Sequence, residues 1–163
     1  MGCLSGTWSV GIALLIASPA LAQPDCPKGA EPLPPALAAW SATPDVLSKD
    51  AVLATGSPMR VALEPTKVRF AAPPQREPKP GSFGGVIRFD VQQAGTWRVA
   101  LGAGGWIDVL TDGKAVASTA HGHGPACSGI RKIVDFTLRT GTHTLQISGA
   151  AADSIDVMVT RAP

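Results

Sequence analysis

The chain has 163 residues, 45% hydrophobic and 16% charged, with 14 basic and 12 acidic residues for a net charge of +2. That length is a prior for a single domain with room for a genuine core. The charges are scattered singly and form no basic stripe, so nucleic acid is not an expected partner.

Residues 1–22 contain no Lys, Arg, Asp or Glu. The apolar run Val10–Ala17 is followed by Ser18-Pro19 and the small-x-small triplet Ala20-Leu21-Ala22. This is the pattern of a secretory signal peptide, and the run is far short of the ~20 apolar residues that cross a bilayer. Residues 1–22 therefore read as a leader cleaved after Ala22, which places the mature chain in the periplasm or outside the cell, without a transmembrane span. Cleavage removes Cys3 and leaves Cys26 and Cys127, an even pair in an oxidising compartment. We read them as a disulfide closing a loop on the order of 100 residues, which pins the start of the mature chain near residues 120–129.

Residues 23–57 form a Pro-rich extension in which regular structure is short. Within it Pro35–Trp40 fits about one and a half helical turns, with Leu37 and Trp40 on one face and Trp40 plugging the edge of the core. From residue 58 the hydrophobic period becomes two. Met59, Val61 and Leu63 alternate with polar or small residues, as do Val68 and Phe70. Residues 71–82 hold four prolines and read as a long surface loop, lying over an edge strand rather than marking a domain boundary.

Beyond that loop the strand signal is dense. Ile87, Phe89 and Val91 share one face, as do Trp97, Val99 and Leu101. Trp106–Leu110 is apolar on both faces apart from Asp108, as a central strand would be. Asp112-Gly113 is a strong hairpin signal. Val134, Phe136 and Leu138 form a further inward set, followed by His143, Leu145 and Ile147, then Ile155, Val157 and Val159. Eight or nine short strands at this spacing predict an all-β, antiparallel β-sandwich or jelly roll over residues 58–163.

Several segments carry a family resemblance. They are Phe89-Asp90-Val91, Ala94–Val99, Asp108-Val109-Leu110, Asp112-Gly113-Lys114, Val116-Ala117-Ser118 and Phe136–Thr142. In this order, over residues 86–160, they resemble the bacterial pre-peptidase C-terminal (PPC-like) domain family. The resemblance implies a secreted jelly roll of the kind appended to exported hydrolases, with calcium or matrix binding in some members.

The chemically dense segment is Ala120–Lys132, which contains His121, His123, Cys127, Arg131 and Lys132. In an extended strand His121 and His123 face the same side. With Asp108, Asp135 or His143 as a third ligand they would suit Zn, Cu or Fe. The segment is similar to that of small exported proteobacterial proteins identified as homogentisate 1,2-dioxygenase. That resemblance implies a non-haem iron held by two His and a carboxylate, which here would be an Asp because no Glu follows Glu77. The competing reading is a disulfide-tethered loop whose glycines supply turns with positive φ. Calcium, weighed at Asp108, Asp112, Asp153 and Asp156, ranks behind the transition metals. Gly102–Gly105 precedes a strand rather than a helix, so it does not match a phosphate-cradling loop. No G-x-S-x-G elbow occurs.

The favoured reading is a non-enzymatic, exported sandwich without a cofactor. It binds a small molecule or an envelope protein through the 120–132 loop, with Trp106, His121, His123, Arg131 and Lys132 as contact residues. The alternatives are metal binding or an oxygenase at His121, His123 and Asp108, and a structural subunit of a cell-envelope assembly.

Overall fold

The computed structural model describes Cys26, residues 32–65 and residues 69–163. The leader with its cleavage point, Cys3 and Val68 lie outside the described residues.

One short 3-10 helix, Pro35–Ser41, precedes the strands. In chain order these are β1 (Asp45–Val46), β2 (Val52–Leu53), β3 (Met59–Ala62), β4 (Glu64–Pro65), β5 (Phe83–Val91) and β6 (Gly95–Leu101). They continue as β7 (Trp106–Thr111), β8 (Lys114–Val116), β9 (Ser118–Gly122), β10 (Lys132–Leu138), β11 (Gly141–Ala150) and β12 (Ser154–Arg161). One sheet has the order β1-β3-β12-β6-β10-β9 and the other β2-β5-β11-β7-β8, with β4 also on β5. The central quartets β3-β12-β6-β10 and β5-β11-β7-β8 have the strand order of a jelly roll, the chain passing repeatedly from one sheet to the other.

Both sheets are mixed, because β1 pairs with β3 and β2 with β5 in parallel. Each of these pairs is joined through a strand of the opposite sheet instead of a hairpin, so the partners run in one direction. Every other pairing is antiparallel.

The alternating residues meet between the sheets as expected. Trp97, Val99, Leu101, Phe136, Leu145, Ile147, Val157 and Val159 belong to one buried cluster. Asp112 and Gly113 form the two-residue turn between β7 and β8, with φ of 51° and 73°. Such left-handed pairs match the right-handed twist of a two-stranded ribbon.

The outer faces differ from the expectation. Trp40 does not plug the edge of the main core. With Leu37 it lies over the outer face of the β12/β6/β10 sheet, in a second cluster with Ala100, Ile130 and Met158. Ala100 and Met158 alternate with inward residues, so the middle of this sheet is buried on both faces.

A matching layer covers the other sheet. The segment 71–82 crosses its centre and not an edge strand: the Ala72 N–H donates to Gln146 Oε1 (2.9 Å) and Gln146 Nε2 donates to the Ala72 carbonyl (3.2 Å). The Gln75 N–H donates to Asp108 Oδ2 (3.2 Å). Gln146 and Asp108 are thereby buried on the outer face with their polar atoms paired. We call this segment the strap.

Cys26 and Cys127 lie at disulfide distance, with Cα atoms 5.6 Å apart. No helix among the described residues is long and apolar enough to cross a membrane.

Candidate functional site

The β7 end of the strap-covered sheet carries a cleft of about 360 Å³. Trp106 opens β7 and stands on the outer face opposite Ser148 of β11. The indole N–H donates to Asp108 Oδ1 (2.9 Å), while the other oxygen of Asp108 holds the strap. One buried carboxylate therefore orients the ring and anchors the segment that passes over it.

Two cations converge on that ring. Lys132 opens β10 in the opposite sheet, and its Nζ donates to the Gly105 carbonyl (2.9 Å) while lying 4.7 Å from the Trp106 ring centroid. The Arg76 guanidinium, carried by the strap, lies 5.8 Å from the same centroid. Both distances are within the range of cation–π attraction. Burial, and next the charge of Arg76, hold the Lys132 ammonium below its usual pKa, with Asp108 opposing them. Lys79 and Glu77 also line the cleft.

Ser148 completes the lining. The ladder of β11 on β5 shifts register between Ile147 and Ala150, and Gly149 adopts a φ of 71°. A bulge of this kind re-aims side chains and often borders a functional site. The Ser148 hydroxyl is buried and, among the described residues, has no hydrogen-bond partner.

A second cleft, of about 370 Å³, lies on the outer side of the opposite sheet and is lined in part by His121, His123, Arg98, Asp135 and Leu37. Arg98 and Asp135 are cross-strand partners joined by two 2.8 Å bonds, which occupy the Asp135 carboxylate. β9 ends at Gly122, so His123 leaves the ladder and its Nδ1–H donates to the Arg131 carbonyl (2.8 Å). Gly124 is needed here for space: a Cβ would fall 2.4 Å from Ile130 Cβ. Of the three glycines at 122, 124 and 129 only Gly129 has a positive φ, and Cys127 itself takes a φ of 61°.

The residues singled out from sequence are thus divided. Trp106 and Lys132 come together with Asp108 beneath them, whereas His121 and His123 line the other cleft. Arg131 is exposed and contributes through its backbone, donating its N–H to Leu101 and accepting from His123. His143 is a core histidine: Nε2–H donates to the Arg139 carbonyl (2.8 Å), Nδ1 meets the Thr111 hydroxyl (2.7 Å), and the ring packs on Phe89. Among the acids weighed for calcium, Asp112 pairs with Arg139 and Asp156 with Arg60. No cluster of three or more His, Cys, Asp or Glu suited to a metal occurs among the described residues.

Arg76 and Ser148 were not singled out by the sequence. Arg76 sits in a Pro-rich loop with no periodicity, and Ser148 occupies an ordinary outward strand position. A scan of protein-family models, a search of curated proteins and a search of solved structures each gave no match.

Proposed function

We propose that this protein is an exported, non-enzymatic binding module whose ligand enters the cleft between the strap and Trp106. One observation carries the reading: Lys132 and Arg76, from separate parts of the chain, converge on one indole inside the cleft. Two like charges held together, one of them partly buried, cost some stability in the free protein, and such arrangements concentrate at functional sites. Lys132 ends the 120–132 loop, so that loop contributes one wall. The cleft offers donors for binding, and among the described residues the Ser148 hydroxyl has no hydrogen-bond partner, Lys132 included, to act as a base.

The test is thermal unfolding of the oxidised protein against a panel of small organic anions, cations and neutral sugars. At least one class should raise Tm, and the increase should vanish in a Lys132→Met/Arg76→Gln double variant. No stabilising class, or one that stabilises the double variant equally, defeats the reading.

A second reading, metal binding at His121 and His123, is favoured by one feature. Donation from His123 Nδ1–H to a backbone carbonyl leaves Nε2 as the acceptor, the orientation common in metal-bound histidines. Stoichiometric Zn, Cu or Fe in the purified protein, lost in a His121→Ala/His123→Ala variant, would establish it in place of the first.

A further inference from the structure

The cleft's chemistry also specifies a ligand class, an inference that rests on the binding-module reading. We infer that the cleft takes a small hydroxylated carboxylate of the sugar-acid type, its carboxylate between Arg76 and Lys132 and a hydroxyl on Ser148.

Three features of the cleft lead there. The first is charge. Arg76, Lys79 and Lys132 face Glu77 on the lining and Asp108 beneath Trp106, leaving one positive charge in excess. That excess matches a carboxylate, whereas a phosphomonoester carries about −1.5 to −2 at neutral pH. The second is donor geometry. Lys132 commits one of its three N–H groups to Gly105, and Arg76 makes no hydrogen bond or ion pair among the described residues. A planar carboxylate can accept from the guanidinium fork on one side and the ammonium on the other.

The third is independent of charge. The Ser148 hydroxyl is buried at the lining, on a bulge, without a partner among the described residues. A buried hydroxyl is ordinarily satisfied, and a ligand hydroxyl can both donate to it and accept from it. The indole contributes differently. Both cations lie over Trp106 and its N–H is taken by Asp108, so the ring holds the cations in place. Recognition then falls to Lys132, Arg76 and Ser148.

Calorimetric titration with D-galacturonate, D-galactose, propionate and inorganic phosphate at low ionic strength tests the assignment, with NMR shifts at Gly104–Trp106 and Ser148–Gly149 locating the site. Galacturonate should bind about 10- to 100-fold tighter than galactose, the worth of a charge-assisted hydrogen bond. Arg76→Gln and Lys132→Met should each remove most of that margin. Ser148→Ala should weaken galacturonate about threefold to tenfold and leave propionate unchanged. Equal binding of galactose and galacturonate overturns the assignment but leaves a ligand-binding cleft, as does tighter binding of phosphate. If none of the four probes moves these resonances, the assignment falls. If in addition no compound stabilises the protein in the thermal panel, the binding-module reading falls with it.

Discussion

Replacing Gln146 by leucine should free the strap from its sheet while leaving the core in place. Gln146 is only 1% exposed, and its amide makes both polar links to Ala72. Leucine occupies a similar volume without polar atoms, so both links are lost together. At a net ~0.5–1.5 kcal/mol for each neutral hydrogen bond, the ceiling is about 3 kcal/mol. Part of that returns, because no amide need be desolvated and the half-buried Ala72 backbone can rehydrate as the strap lifts. The expected loss is about 1–2 kcal/mol, a fall in Tm on the order of 3–8 °C for a domain of this size. Hydrogen exchange separates local from global effects. The Ala72 and Gln75 amides should exchange about 5- to 30-fold faster, while those of Leu145 and Ile147 keep their protection relative to the global unfolding limit. Unchanged protection at Ala72 would refute the strap's dependence on this side chain. Uniform loss across β11 would show that the leucine disturbs the sheet itself.

Three further outcomes follow from the same contacts. Gly124→Ala drives a methyl group into Ile130 and should cost about 1–3 kcal/mol by urea unfolding, whereas Gly122→Ala, with open space around it, should cost far less. Arg76→Gln removes one of the two causes that depress Lys132, so NMR titration should show its pKa rising yet remaining below 10.5, because burial, the larger cause, persists. The depressed Lys binds fewer protons folded than unfolded, so stability should rise with pH between its folded value and 10.5, and rise less in the variant. In denatured, unreduced protein Cys26 and Cys127 should both resist thiol reagents, and reduction should cost about 4–5 kcal/mol by the chain-entropy estimate for their separation of 101 residues. A smaller cost would mean that the reduced unfolded chain retains structure.

Period-two alternation made the inner faces legible. Trp97, Val99 and Leu101, or Ile155, Val157 and Val159, lie in the core where their spacing puts them. What alternation does not reveal is what covers the other face. Ala100 and Met158 are ordinary outward residues until Leu37 and Trp40 lie over them. Gln146 carries no signal in the sequence and Asp108 reads there as a metal ligand, yet both are buried polar positions bonded to the strap. The strap can lie there without joining a ladder because Pro73 and Pro74 have no N–H to satisfy. The flanking residues Ala72 and Gln75 donate instead to the two side chains beneath them. The site was legible in the same partial way. Trp106 and Lys132 stand out as residue types, but their meeting depends on two strands from opposite sheets. The same-face expectation for His121 and His123 holds only while the strand continues, and β9 stops at Gly122.

Asp108 explains why strap and cleft are one device. As a lone acid on an apolar strand it resembles a metal ligand, but both of its oxygens are committed within the protein. Oδ1 sets the indole that receives the cations, and Oδ2 holds the strap that supplies one of them. Its charge also offsets part of the repulsion between Arg76 and Lys132. The docked strap therefore holds Arg76 near Lys132 at an electrostatic cost, and the proposed anion between them would remove part of that cost. By linkage, whatever free energy that anion gained from the docked strap it would return to the strap as added stability. The Pro-rich segment serves both as the outer layer of the sheet and as one wall of the cleft.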